Sequence, residues 1–145
     1  MTGDSVAATA VFQLGVLGAI VTDLFSARIE PHSLKPKHVG LMVVLDGGLA
    51  ASQLDIARTM GVAPSLVVAL ADHLEELGAV QRVRDPADRR RQILTLTDRG
   101  HELLGTCATI ARSLDAELEI DLNDGAALTS LFARLSPLRR PPAER

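Results

Sequence analysis

The feature that most constrains how this chain can fold is a cluster of arginines between two strand-like segments. Residues 80–84 and 92–96 alternate roughly between apolar and polar side chains, which is the period of a half-buried strand. The intervening Asp85-Pro86-Ala87-Asp88 is typical of a turn. We therefore expect a β-hairpin with an arginine-rich tip. Because arginine makes planar, permanently charged contacts that suit phosphates and a narrow minor groove, the tip predicts an anionic partner.

The segment before the hairpin predicts two helices joined by a tight turn. Ser52 and Asp55 form a capping-box pattern, which opens a helix from Gln53 to Met60 that Gly61 ends. Pro64 begins the next helix, which continues to Gly78 and has apolar residues at spacings of three and four. A short helix, a glycine turn and a second helix are typical of a helix-turn-helix, whose second helix enters the major groove of DNA. The hairpin would then be the wing of a winged helix-turn-helix.

The rest of the chain reads as helices. We expect one long, largely apolar helix over 5–30 that Pro31 stops. Leu34-Lys35-Pro36 would start a second helix, with Pro in its first turn, that continues to about Leu45. Thr97-Asp98 would cap a long helix to about Glu119, and Asn123 would cap the last one, to about Leu135. The tail from Pro137 is expected to fray. The predicted fold class is mainly α with a small β-hairpin wing, in a single domain over 1–145. Within it, 36–97 would be the DNA-binding lobe, and 5–34 and 98–138 would hold the dimerisation helices.

Composition and charge narrow the function further. The chain is 47% hydrophobic but only 2% aromatic, so its core must be aliphatic. Its net charge is −3, yet residues 82–99 hold six arginines against three aspartates, which favours local contact with nucleic acid. A single cysteine, Cys107, excludes an internal disulfide, and no basic segment marks a signal peptide, so we expect a cytoplasmic protein.

The apolar N-terminal run raises the question of a membrane helix. Residues 6–22 are short for a span, and Gln13 and Asp23 interrupt or bound the run. The N- and C-terminal helices carry more apolar surface than a small winged lobe can cover, and an exposed patch of that size would be a liability. We therefore predict no membrane association and a homodimer interface built from these helices.

In three stretches the sequence resembles the MarR family of bacterial winged helix-turn-helix regulators. They are Leu54-Asp55-Ile56-Ala57 with Met60-Gly61-Val62, the run from Asp72 to Val80, and the wing from Arg82 to Arg90 with Leu96-Thr97-Asp98-Arg99-Gly100. The resemblance implies an obligate homodimer that binds a pseudo-palindromic operator in double-stranded DNA. It also implies a repressor more often than an activator, commonly released by a small anionic or phenolic effector. We predict no cofactor.

The resemblance places the family's Asp-x-Arg signature on Asp88 and Arg90, with Asp88 stabilising the wing through an arginine. Arg89 and Arg90 are the candidates for minor-groove and phosphate contacts, and Arg84 and Arg91 for phosphate contacts, while Arg82 is expected to be structural. Ser52 and Gln53, at a helix N-terminus, are further candidates for phosphate contact. The outward face of the recognition helix is predicted to be Ala63, Pro64, Ser65, Val68, Ala69 and His73.

That face has few side chains able to hydrogen-bond with bases. Members of the family usually have Thr or Ser near position 68 and Arg or Lys near position 69, whereas this chain has the small, apolar Val68 and Ala69. Base readout normally relies on Arg, Lys, Asn or Gln. We therefore predict weak base discrimination by this helix, with Val68 and Ala69 able to pack on thymine methyl groups. His32, His38 and Met42 are expected near an effector pocket.

Other readings compete with a ligand-released repressor. The plain recognition helix favours a protein-interaction or ligand-binding dimer with lost or weak operator binding. Glu30, His32, His38 and His101 suggest a metal-responsive regulator, but they lack the usual ligand spacing, so no metal site is predicted. Cys107 is expected to be buried and structural rather than a redox sensor. An enzyme is not expected, because His101 and Cys107 lie six positions apart on one helix and cannot form a dyad.

Overall fold

The structure, a computed structural model, describes residues 5–48 and 52–139, and the chain divides into two compact units, 1–36 and 37–145. The helices are α1 (Ala10–Ile29), α2 (Pro36–Asp46), α3 (Gln53–Met60), α4 (Pro64–Glu76), α5 (Asp98–Glu117) and α6 (Leu122–Leu135). The strands are β1 (Val80–Arg84) and β2 (Gln92–Leu96), and short 3-10 turns cover Val6–Ala8, Glu30–His32 and Ser136–Leu138. This architecture confirms the predicted fold class.

In the first unit, the predicted single helix over 5–30 is divided. Val6–Ala8 forms a 3-10 turn, and α1 begins only at Ala10 because the Thr9 hydroxyl caps it by accepting a hydrogen bond from the Phe12 amide. At the other end, Pro31 lies inside the 3-10 turn Glu30–His32. The prediction of one continuous helix was therefore wrong at its first residues, where a local cap sets the start.

The second unit contains the helix-turn-helix. The predicted bounds of α3 and the start of α4 are confirmed, whereas α4 ends at Glu76 and not at Gly78. The Ser52 hydroxyl accepts from the Asp55 amide, and the Asp55 carboxylate accepts from the Ser52 amide, which completes the capping box. Gly61 ends α3 with a φ of 68°, in the left-handed region that favours glycine. Pro64 then opens α4 in its first turn.

The core of the second unit is aliphatic, as the composition requires. Its fully buried side chains come from every element between α2 and α5: Leu41, Met42, Ile56, Val67, Leu74, Val80, Leu94 and Cys107. Apolar residues of α4 at three- and four-residue spacing pack inward, which leaves the opposite side of this helix exposed.

The two strands pair antiparallel, from Val80 opposite Leu96 at the base to Arg84 opposite Gln92 near the tip. At the base the Thr97 amide donates to the Ala79 carbonyl at 3.0 Å, and the Thr97 hydroxyl accepts from the Gly100 amide to cap α5. The hairpin is thereby joined directly to the start of α5.

The last helix begins earlier than the sequence suggested. Asp121 is its N-cap, and its Oδ1 accepts from the amides of Asn123 at 2.8 Å and Asp124 at 2.9 Å. The prediction that Asn123 is the cap was wrong, because Asp121 forms a capping box with Asp124. The tail predicted to fray is partly in the 3-10 turn Ser136–Leu138. Its residues 140–145 lie outside the described residues.

Large apolar side chains are exposed in both units. In α1 they include Val11 at 84% and Leu17 at 55%, and in the second unit Phe132 is 66% exposed and Leu138 70%. In the part of the chain that the structure describes, one continuous helical stretch, Ala10–His32, is long and apolar enough to cross a membrane, with a mean hydropathy of 1.7. The helix therefore extends beyond the run over 6–22, and the expectation that it is too short for a span was wrong on length.

Candidate nucleic-acid interface

The wing tip is a closed, hydrogen-bonded loop. The Asp85 amide donates to the Arg91 carbonyl at 2.8 Å, and the Arg91 amide donates to the Asp88 carbonyl at 3.0 Å. The Ala87 amide donates to the Asp85 carboxylate at 2.9 Å, which is the side-chain-to-backbone bond that stabilises Asx turns. The loop therefore has a defined shape.

Asp88 holds Arg90 at this tip. Its Oδ1 accepts from the Arg90 amide at 3.1 Å and from the Arg90 Nε at 3.2 Å. The Arg90 side chain is nevertheless 92% exposed, so its remaining guanidinium donors face solvent. A carboxylate that orients an arginine without covering it leaves the positive charge available to an anion.

Arg84 and Arg89 are joined by a hydrogen bond across the loop. The Arg84 Nη1 donates to the Arg89 carbonyl at 3.0 Å, and both residues are exposed. Arg84, a candidate phosphate contact, thus supports the loop backbone, while Arg89 projects from the tip beside Arg90.

Arg91, another candidate phosphate contact, is instead paired within the lobe. Its Nη2 contacts the Asp55 carboxylate of α3, which joins the base of the wing to the capping box. Hydrogen bonds from Ser52 hold the pKa of Asp55 below its usual value, and the charges of Arg91 and Arg58 lower it further. The capping partners of Asp55 were visible in the sequence, but Arg91 was not, because it lies 36 residues away.

The outward face of α4 is exposed and nearly uncharged in its first half. Ala63, Pro64, Ser65 and Ala69 are exposed, and Val68 is 42% exposed. His73 differs from this prediction, because it is half-buried and its ring lies 4.5 Å from that of His38. The imidazole of His73 therefore packs against His38 of α2.

The second half of α4 carries two acidic residues, Asp72 and Glu75, whose pairing with Arg82 was not predicted from the sequence. Arg82 of β1 donates from Nη2 to Asp72 at 2.6 Å and from Nη1 to Glu75 at 3.2 Å, and its side chain is only 19% exposed. Burial lowers the pKa of Arg82, but the bonds to Asp72 and Glu75 outweigh it, and the net pKa is raised. The spacing of Asp72 and Glu75, three apart on a helix, was the available signal.

At the N-terminus of α3, the side chains of Ser52 and Gln53 are less available for phosphate contact than predicted. The Ser52 hydroxyl donates to the Asp55 carboxylate at 2.8 Å while it caps α3, so it is already engaged. The Gln53 Oε1 is buried and accepts no hydrogen bond from the described part of the chain.

The histidines and the cysteine are scattered. His32 is exposed in the 3-10 turn of the first unit, whereas His38 and Met42 are buried on α2 in the second. His101 Nδ1 lies 3.5 Å from Asp46 Oδ1. Among the described residues, no group of three or more His, Cys, Asp or Glu side chains could hold a metal ion.

Cys107 is buried in α5, as predicted, and burial raises the pKa of its thiol. A raised pKa leaves little thiolate at neutral pH, and the thiolate is the reactive form.

The helix-turn-helix, the wing and the exposed arginines together define a winged helix-turn-helix DNA-binding protein. Comparison with known proteins agrees: the model of the MarR family matches residues 32–91. The HTH-type transcriptional repressor MdtR of Bacillus subtilis is 30% identical over 111 residues, which cover 73% of this chain and 72% of that protein. The chain belongs to the MarR family, and the resemblance drawn from its motifs is confirmed.

Solved structures match over nearly the whole chain. The structure of CouR from Rhodococcus jostii RHA1 bound to p-coumaroyl-CoA is 26% identical, with a TM-score of 0.77, over 98% of this chain and 99% of that one. The transcriptional repressor CouR bound to a 23-mer DNA duplex, also 26% identical, has a TM-score of 0.76 over 97% of this chain. The predicted class, a DNA-binding transcriptional regulator, is therefore confirmed.

Proposed function

We propose that this chain is a homodimeric transcriptional repressor that binds a pseudo-palindromic operator and is released by a small molecule. The observation that carries the proposal is the wing tip, where Asp88 fixes a loop from which Arg89 and Arg90 project into solvent. The neighbouring helix-turn-helix presents the exposed face of α4 for a major groove. MdtR and CouR are both described as repressors, which favours repression.

Support for the homodimer comes from apolar side chains that a monomer would leave in water. Phe132, Leu135 and Leu138 at the end of the second unit are between 49% and 70% exposed, and α1 is apolar nearly all round. Burying such side chains stabilises by about 1.5–3 kcal/mol each, and this gain favours association with a second copy. We propose that α1 lies in this dimer interface and not in a membrane, and hence that the protein is cytoplasmic, because the similar proteins are transcriptional repressors.

The DNA contacts that we propose divide into two sets. Arg89 and Arg90 would contact phosphates and the minor groove, and Ala63, Pro64, Ser65, Val68 and Ala69 would face the major groove. Arg84, Arg91, Ser52 and His73 already have partners within the lobe, so we assign them to holding the interface in shape.

For the effector we propose a small anionic or phenolic molecule, since the structure of CouR holds p-coumaroyl-CoA. Placing it near His32, His38 and Met42 stays a prediction, and the burial of His38 and Met42 means that both would have to become accessible. We also propose that the chain acts by binding and not by catalysis, which is supported by the buried Cys107 thiol with its raised pKa.

The test is the double variant Arg89→Ala/Arg90→Ala, measured by fluorescence anisotropy on a duplex selected by the protein from a random-sequence library. A dimer would lose up to four phosphate contacts. Since the logarithm of affinity falls by about 0.9 per contact for each decade of salt, the salt slope should become shallower by about 3 to 4. Affinity should fall by about tenfold or more at physiological salt.

The matched control is Arg99→Ala/Arg112→Ala, which removes the same charge from exposed positions of α5. It should leave the slope within about 1 of the parent, provided that light scattering shows an unchanged dimer. If both double variants bind as the parent does, or if no sequence is enriched, the protein is a dimeric interaction module and the repressor proposal fails. Operator binding that requires zinc and is abolished by a chelator would identify the metal-responsive alternative.

A further inference from the structure

The exposed face of α4 is the surface that a helix-turn-helix inserts into the major groove, and here it is built of apolar groups. From Ala63 to Glu76 the helix contains no Arg, Lys, Asn or Gln. Its largest exposed apolar side chain is Val68, at 42%. A valine in a groove lined by polar base edges must either displace water from donors and acceptors without replacing it, or meet an apolar group.

Three polar side chains in the second half of α4 that could read bases, Asp72, His73 and Glu75, have partners within the lobe. Asp72, which could accept from a cytosine amino group, is held by Arg82 at 2.6 Å, and Glu75 is held by the same guanidinium. His73 is half-buried and stacks on His38. Ser65 is left as the exposed hydrogen-bonding side chain in the first half of the helix.

The major groove contains a single kind of apolar group, the 5-methyl of thymine. We propose that α4 reads its operator through pyrimidine 5-methyl groups, with Val68 in contact with a thymine methyl in each half-site. The inference rests on the proposed function and deepens it, because it names the chemical feature of the DNA that this face selects. It also implies that 5-methylcytosine can replace thymine as the base that presents the 5-methyl group, so that cytosine methylation would increase affinity at such a position.

The experiment starts from the duplex that the full-length dimer enriches from a random-sequence library. Thymines of the half-sites are replaced one position at a time by deoxyuridine, which removes the 5-methyl and keeps every hydrogen-bonding group. At one or two positions per half-site we expect an affinity loss of about fourfold per methyl, or about 16-fold when both half-sites change, from the transfer of one buried methyl.

Protein variants assign that loss to a side chain. With Val68→Ala the deoxyuridine penalty should shrink to less than about twofold at the same position. The matched control is Val43→Ala, since Val43 is also exposed, at 55%, but lies on α2. This variant should retain the full penalty. For the parent protein, 5-methylcytosine at the half-site position that is sensitive to deoxyuridine should give about fourfold tighter binding than cytosine at that position.

The results separate this inference from the proposed function. Enrichment of a sequence that depends on Arg89 and Arg90, but binds equally with thymine or deoxyuridine at every position, would overturn methyl readout and leave the repressor standing. A penalty that persists in Val68→Ala would also overturn it. Failure to enrich any sequence would overturn both.

Discussion

Replacing Gly100 by alanine should loosen the joint between the wing and α5. Gly100 is buried in the first turn of α5, where the Thr97 hydroxyl accepts a hydrogen bond from the Gly100 amide. A Cβ built on it would overlap the carbonyl oxygen of Ala79 and lie 2.9 Å from Leu96 Cδ2 and 3.0 Å from the Ala79 carbonyl carbon. The nearest obstacle is backbone, so it cannot rotate away as a side chain would.

The sign and size of the effect follow from two opposed terms. Alanine is better than glycine inside a helix by up to about 1 kcal/mol. Forcing an extra carbon into a packed site typically costs about 1–3 kcal/mol, and a backbone obstacle places Gly100 at the upper end. We therefore expect Gly100→Ala to lower the free energy of unfolding by about 2 kcal/mol. Because the Ala79 carbonyl also accepts from Thr97 at the hairpin base, operator affinity should fall with it.

The same helix provides a control of opposite sign. Gly105 also lies within α5, and a Cβ there would meet nothing within 4 Å. Gly105→Ala should stabilise the protein by about 0.5–1 kcal/mol. Urea unfolding followed by circular dichroism, at one fixed dimer concentration, measures both variants. A Gly100→Ala protein as stable as the parent would refute the close approach of α5 to Ala79.

Two further predictions concern the Asp55–Arg91 pair and Cys107. Since Asp55 and Arg91 are in direct contact, the losses of unfolding free energy in Asp55→Asn and Arg91→Ala should not add in the double variant, and strict additivity would show that the pair contributes nothing. The pKa of Asp55 is lowered on folding, so its contribution is full above the ordinary carboxyl pKa and is lost as the pH falls through the lower folded value. Acid titration of stability should accordingly be shallower for Asp55→Asn than for the parent. Iodoacetamide should alkylate Cys107 in the native protein at least about tenfold more slowly than in urea, because the thiol is buried and burial raises its pKa. Equal rates would reopen a redox role for this cysteine.

Sequence patterns predicted the local elements well because their signals lie within a few residues. The box of Ser52 and Asp55, the left-handed Gly61 and the alternation over 80–84 and 92–96 each specify their own backbone. The composition likewise required an aliphatic core. The prediction that Asn123 caps the last helix was wrong, because Asp121 lies close enough to cap the same helix. The reciprocal hydrogen bonds of Asp121 with Asp124 decided between the two residues.

The sequence by itself determined the elements, their order and the presence of a basic wing, because helix caps, turn residues and side-chain periodicity act locally. Only the tertiary structure decided which arginines of that wing are available. Arg91 is joined to Asp55, Arg82 to Asp72 and Glu75, and Arg90 projects while Asp88 orients it. The partners of Arg91 and Arg82 lie far away in the chain or on a different element, and a charge is free or engaged according to its distance from other charges in space.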